Sequence, residues 1–272
     1  TLNMARKGLF GEIIHGEGAY YHCLSGGIAD LKAHIPGWKN WRGDFNRLHD
    51  GNPYPTHGLG PVAQIMGINR GDRFDYLTST STRQYGLTLV LEEKFGKNSP
   101  EAKTPFKKGD INLTVIRTVN GHTILVGHDV ASPRPYDRIH KITGTKGMAV
   151  KWPDERIAIP PNPHEFLSPE KFREVMKEYE HPLSKYIGEK ARAIGGHGGM
   201  DYTMIWRLIY CLQNGLPTDQ DVYDAAAWSC LVELTERSVD NRSAPVDIPD
   251  FTRGEWKNAK PWPVIDMETV FC

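Results

Sequence analysis

Asp110-Ile111-Asn112-Leu113-Thr114-Val115-Ile116-Arg117-Thr118-Val119-Asn120-Gly121-His122-Thr123-Ile124-Leu125-Val126-Gly127-His128-Asp129-Val130 is the stretch from which the fold can be read. Side chains of a strand alternate between two faces, so Ile111, Leu113 and Val115 share one face of the first run, and Ile124, Val126 and His128 share one face of the second. Between them Asn120-Gly121 supplies a residue pair suited to the left-handed backbone of a tight turn. The stretch is predicted to be a β-hairpin.

Working outward, Glu12 to Tyr21 alternates loosely, and Phe74 to Thr82 has the Thr/Ser content of an exposed sheet. Arg138 to Thr143 and Met148 to Lys151, separated by Gly144-Thr145-Lys146-Gly147, read as a second strand pair. The second half turns helical. Ser168-Pro169-Glu170 provides an N-cap and a proline at the first helical position, with Pro182 limiting that helix. From about Gly199 to Asn214, Met204, Ile205, Leu208, Ile209 and Leu212 lie on one stripe, with Gly215 and Pro217 as the stop. Thr218-x-x-Asp221 resembles a capping box for a helix running to about Val239. Strands first and helices later predict an α+β domain with an antiparallel or mixed sheet. Thr1 to Gly8 reads as the tail of a helix ended by Gly8, which predicts a chain cut from something longer.

The 272 residues carry 33 Lys+Arg and 33 Asp+Glu, a net charge of zero. A non-specific nucleic-acid binder needs a surplus of basic charge and a membrane-surface binder a polybasic stretch, so neither is expected. No apolar run approaches the ~18 to 20 residues that span a bilayer. Cys23, Cys211, Cys230 and Cys272 lie far apart and are expected to be buried thiols. Metal is not expected either: HExxH and HxH are absent, and His22, His57, His128 and His197 meet only through tertiary folding. Neither GxGxxG nor GxxxxGK[ST] occurs, so the usual phosphate cradles are missing. The two glycosylation-type triplets, at Asn112 and Asn241, are too short a pattern to fix a compartment.

Five segments have the composition of a site. In Asn52 to Gly60, two prolines stiffen the approach, Thr56 is placed to cap the run from Gly58 to Met66, and His57 falls at a helix N-terminus. The positive end of a helix disfavours imidazolium, so His57 is expected to be neutral at pH 7; a capped turn with a surface histidine fits the spacing equally well. Tyr20 and His22 share a strand face and set a phenol beside an imidazole, unless they form only an aromatic edge. Trp38, Trp41 and Arg42 suit stacking on a sugar ring, or ordinary loop packing. The stiff loop Ser132 to Tyr136 holds Tyr136 over a ligand or merely connects. Gly196 to Asp201, with His197 and Asp201, brings a helix N-terminus near a ligand or is a flexible helix entry. Acids at Asp221, Asp224, Asp247 and Asp250 read as caps.

Taken together, Gly8-Leu9-Phe10-Gly11-Glu12, Tyr54-Pro55-Thr56-His57-Gly58-Leu59-Gly60, Gly67-Ile68-Asn69-Arg70-Gly71, Ser132-Pro133-Arg134-Pro135-Tyr136, Gly196-His197-Gly198-Gly199-Met200-Asp201 and Ala244 to Gly254 resemble glycoside hydrolase family 109. That family comprises NAD-dependent α-N-acetylgalactosaminidases of the Gfo/Idh/MocA oxidoreductase superfamily. The resemblance implies an open, largely antiparallel sheet with helices packed on one face, preceded in full-length members by a Rossmann domain that binds most of the NAD. On this basis residues 1–10 end the linking helix, and 11–272 form the C-terminal domain for substrate binding and oligomerisation through the sheet. It implies further that Tyr20, His22, Arg42, Tyr54, Pro55, Thr56, His57 and Tyr136 line the site of an N-acetylhexosaminide.

The implied chemistry oxidises C3 of the sugar, removes the C2 proton, expels the C1 substituent, adds water and reduces C3 again, which dispenses with the usual Asp/Glu pair. Tyr20 is expected to be the C2 base, its phenol pKa lowered by Arg42, with His57 handling the leaving-group or water proton. A sugar dehydrogenase and a non-catalytic carbohydrate-binding or oligomerisation module are the competing expectations. The isolated chain is expected to be inactive.

Overall fold

The computed structural model describes residues 1–29 and 40–264. β1 (Ile13–Tyr21), β2 (Phe74–Ser81), β3 (Ile111–Thr118), β4 (Thr123–Asp129), β5 (Lys141–Gly144), β6 (Met148–Val150), β7 (Arg156–Ala158) and β8 (Val246–Asp247) form one sheet in the order β7-β6-β5-β1-β4-β3-β2-β8. Its pairings are antiparallel except that of β1 with β4, which run parallel with Tyr20 opposite His128. The helices are α1 (Leu2–Arg6), α2 (Ser25–Ile28), α3 (Trp41–Leu48), α4 (Thr56–Met66), α5 (Gly86–Phe95), α6 (Pro169–Glu178), α7 (Pro182–Ile194), α8 (Met200–Gln213), α9 (Val222–Ser229) and α10 (Leu231–Asp240). The expected α+β class and mixed sheet are what the chain forms. No helix among the described residues is long and apolar enough to cross a membrane.

The hairpin decides the two faces of the sheet. Ile116, Ile124, Val126 and His128 are buried on its inner face, whereas Leu113 and Val115 are 41% and 45% exposed on the other. The apolar alternation of the first run therefore marks the open face. Inward, β3 presents Asn112, Thr114 and Thr118, all buried; the Asn112 amide donates to Ser79 Oγ at 2.9 Å and to Ser81 Oγ at 3.0 Å, and Thr114 and Ser79 hydroxyls pair at 2.9 Å. The turn differs from expectation. Only Gly121 is left-handed, at φ 92°, because a four-residue turn in which Gly121 N–H donates to the Thr118 carbonyl needs one such residue, not the Asn120-Gly121 pair.

Several helix boundaries also shift. Asp221, not Thr218, caps α9: its carboxylate accepts from the Tyr223 and Asp224 amides while Asp224 accepts from the Asp221 amide. The run expected to reach Val239 is broken at Cys230 into α9 and α10. Ser168 caps α6 as expected, but Pro182 opens α7, since proline fits a first helical turn as well as it blocks a later one. The stripe of α8 is exposed, Met204 by 66% and Leu212 by 68%; the helix is held from its other side by the buried Tyr210 and Cys211. Of the cysteines expected to be buried, Cys211 is, Cys230 is half-buried and Cys23 is exposed. Cys272 lies outside the described residues.

The core lies between the inner sheet face and α4, α9 and α10, with Leu59, Val62, Leu77, Ile116, Ile124 and Leu231 all fully buried. Burial of such side chains contributes roughly 1.5 to 3 kcal/mol each relative to exposure. At one point the helix meets the strand backbone to backbone. A Cβ on Gly18 of β1 would stand 2.2 Å from the Gly58 carbonyl oxygen of α4, and one on Gly58 would stand 2.4 Å from the Ala19 amide nitrogen. Gly58→Ala is therefore expected to lower unfolding free energy by at least about 2 kcal/mol in urea titration, whereas Gly26→Ala, with open space around it, changes it by less than about 0.5 kcal/mol.

Candidate active site

β1 ends at the sheet's centre, and its last residues open a cavity of about 940 Å³. Alternation sends Tyr20 and His22 into that cavity and Tyr21 to the other face, under the Arg134 guanidinium at 3.8 Å from its ring centroid. The Gly18–Gly58 contact brings the first turn of α4 alongside. Thr56 is the first residue of that helix and not its cap, and Pro55 occupies the cap position with no side-chain bond to give. His57 still points into the cavity from the first turn, its ring 5.0 Å from that of Tyr20. Buried Asn52 accepts the Tyr54 amide at 3.0 Å and sets the Tyr54 ring 4.7 Å from Tyr20 and 4.6 Å from His57.

Three more segments close the walls. Tyr136 stands 6.0 Å from Tyr20 and 5.1 Å from His22, ring to ring. Arg42 of α3 lies over the rings of Trp41 at 4.3 Å and Tyr54 at 5.4 Å. His197 enters from the glycine loop ahead of α8, where residues 195–199 all have positive φ, and its Nδ1 pairs with Asp201 at 2.9 Å. Of the residues singled out in the sequence, Tyr20, His22, Arg42, Tyr54, His57, Tyr136 and His197 line this cavity. Pro55, Thr56 and Asp201 do not line it; they shape the helix start and hold His197. Trp38 lies outside the described residues.

Arg138, His140, Lys151 and Trp152 also line it and had not been anticipated. Arg138 carried a signal, since it follows Tyr136 by two residues and its Nε bonds the Tyr136 hydroxyl. Lys151 and Trp152 arrive through the β5–β6 pairing, which no local pattern reveals.

Burial, reinforced by Arg138, His197 and Arg42, holds His57 down at about 4, so its imidazole is neutral at pH 7 as expected. For Tyr20 the expectation fails. Burial raises the phenol pKa and outweighs the lowering by Arg42, so the hydroxyl keeps its proton at neutral pH. Beneath Tyr20, His128 is fully buried with Nδ1 unpaired, and burial holds it well below the ordinary histidine value.

His57 and His140 both fall from 6.5 to about 4, so between those values the unfolded chain binds more protons than the folded one. The resulting stability is complete above about pH 6.5 and is lost as pH falls toward 4. In an NMR titration the His57 ring is expected to show a midpoint near 4, and one near 6.5 would contradict the buried, cation-flanked site.

The sequence profile described as "Glycosyl hydrolase 109, C-terminal domain" matches residues 1–258. Glycosyl hydrolase family 109 protein 2 of Phocaeicola vulgatus is 51% identical over 259 residues, covering 94% of this chain and 62% of that protein. An alpha-N-acetylgalactosaminidase of Bacteroides fragilis is 50% identical over 258 residues, covering 94% and 60%. The chain thus spans about three-fifths of the length of these relatives. Among solved structures, a levoglucosan dehydrogenase in complex with NADH and L-sorbose superposes with a TM-score of 0.59 at 18% identity, covering 92% of this chain and 62% of that one. An oxidoreductase domain protein from Kribbella flavida gives 0.59 at 16% identity, covering 92% and 62%. The chain thus shares its fold with these two structures, and by sequence it belongs to glycosyl hydrolase family 109, of which it carries the C-terminal domain.

Proposed function

We propose that this chain is the sugar-binding part of an NAD-dependent glycosidase acting on terminal N-acetylgalactosamine or a related N-acetylhexosamine. Residues 1–10 would end the helix that links it to a nucleotide-binding domain. The observation that carries the proposal is one cavity lined by Tyr20, His22, Tyr54, His57, Tyr136 and His197, with no Asp or Glu lining it among the described residues. That lining offers no carboxylate pair, whereas oxidation-assisted elimination asks of the protein groups that move protons and of the cofactor a hydride acceptor.

Among the described residues no glycine-rich turn joins a strand to a helix in the way that holds a pyrophosphate, so of NAD only the nicotinamide end would meet these residues, at the cavity. When bound, NAD would take a hydride from C3 and later return it. His57, expected from the sequence to serve the leaving group, is held at about 4 and has no imidazolium proton to give at neutral pH; it would instead accept the proton of the C3 hydroxyl as the hydride leaves. Tyr20, protonated at rest, would first lose its proton to solvent in the open cavity; the phenolate, supported by Arg42 and Arg138, would then take the C2 proton and later return it. His197, its Nδ1 fixed by Asp201, would present Nε2 to the C1 substituent, protonating the leaving oxygen and then taking a proton from the incoming water.

Two copies would associate through the open sheet face, where Ile14, Leu113 and Val115 stand exposed. Leu113→Lys with Val115→Lys is expected to convert a dimer to a monomer in light scattering, and an unchanged mass would refute that pairing.

In a full-length protein supplied with NAD, Tyr20→Phe is expected to lower turnover by about 10²- to 10⁴-fold. His197→Asn is expected to slow alkyl glycosides far more than nitrophenyl glycosides, whose leaving group needs no acid. Wild-type rates in both variants would sink the assignment. Net NADH accumulation would instead mark a sugar dehydrogenase.

A further inference from the structure

The cavity is electropositive in a chain whose charges otherwise balance. Arg42, Arg138 and Lys151 line it, and among the described residues no acidic side chain does. Other guanidinium groups that leave the surface find acceptors within the fold: Arg70 pairs with Asp221 and Asp224 at 2.9 and 2.7 Å, Arg207 with Asp219 at 2.9 Å, Arg134 with Asp129 at 3.5 Å, and Arg6 donates to the Gln64 carbonyl at 2.8 Å. Lys151 has Glu155 at 3.6 Å, but Arg42 and Arg138 have no carboxylate partner among the described residues. Both are half-buried, where an uncompensated charge is costly.

Their mountings leave donors free. Arg42 lies over the Trp41 ring at 4.3 Å and the Tyr54 ring at 5.4 Å, contacts with ring faces that consume none of its N–H groups. Arg138 spends only Nε, on the Tyr136 hydroxyl, and keeps its two terminal nitrogens. Both cations act on the same pair of groups, raising the cost of protonating His57 and lowering that of ionising Tyr20, so they converge on one region of the cavity. A neutral sugar supplies hydroxyls to such donors but does not offset their charge. A sulfate or carboxylate does both, through short charge-assisted hydrogen bonds.

We propose that the cavity takes a sugar carrying an anionic substituent, a sulfate ester or a carboxylate, held between Arg42 and Arg138. This rests on the sugar-processing reading of the same cavity and narrows its substrate class.

The test is calorimetric binding to the 272-residue chain, with N-acetylgalactosamine, N-acetylgalactosamine 6-sulfate, galacturonic acid and NAD as separate probes. The sulfated sugar or the uronic acid is expected to bind about tenfold more tightly than the neutral sugar at low salt, and the two arms tell which anion is meant. The preference is expected to shrink at roughly 0.5 M salt and to be abolished by Arg138→Gln, whose fold is checked by its circular dichroism. Equal affinities, no binding of either anionic sugar, or a preference that survives Arg138→Gln would overturn the proposal. Competition by NAD with the same dependence on Arg138 would assign the cations to the cofactor and overturn it too. The outcome is separable from the hydrolase reading: neutral-sugar binding with no preference leaves that reading standing, whereas anion preference without any NAD-dependent hydrolysis in a full-length protein defeats only the hydrolase.

Discussion

The contact on which the rest of the structure depends is that between Gly18 and Gly58. Helix and strand normally keep a side chain's width between their backbones, but here neither partner has a Cβ and the first turn of α4 rests on β1 itself. The close approach puts His57 beside Tyr20 with their rings 5.0 Å apart, a spacing that any larger residue at either glycine would open. Packing and chemistry are therefore set by one steric condition. It also explains why this helix starts without a side-chain cap: the segment Pro53-Tyr54-Pro55 is stiffened by its prolines and anchored by Asn52, which replaces part of what a cap contributes.

Charge in the cavity is governed by desolvation first and by the arginines second. The two effects act together on His57 and oppose each other on Tyr20, so the same surroundings that leave an imidazole free of its proton leave a phenol holding one. A site of this kind is arranged around neutral groups at rest. Ionised intermediates would have to be supported by the guanidinium groups that line it, an electrostatic arrangement suited to negative charge that develops only during reaction.

Much of this was legible in the sequence, for identifiable reasons. The hairpin, the Ser168 cap and the pairing of Tyr20 with His22 follow from local periodicity and local chemistry, and those survive folding. The family motifs named most of the cavity residues. What failed did so where tertiary context decides. Nothing local says that the apolar residues of β3 face outward while Asn112 and Thr114 face in, because that depends on which side the helices cover. Nothing local says that burial beats Arg42 at Tyr20, since the sequence shows the cation but not the solvent it excludes. Lys151 and Trp152 reach the cavity through the β5–β6 pairing, and periodicity can report a face without reporting a neighbour.

The central place of β1 has a consequence for how the molecule assembles. β1 pairs with β4 and β5, so Tyr20 lies beside His128 only after about a hundred intervening residues have been brought home, and His197 arrives from further still. Contacts so remote in sequence pay a large loop-closure entropy before they return any stability, which slows folding. A chain emerging from the ribosome would hold Tyr20, Tyr54 and His57 long before it holds the residues that shield them. The cavity is thus a product of the completed fold, assembled only when β4 and the glycine loop ahead of α8 have joined β1.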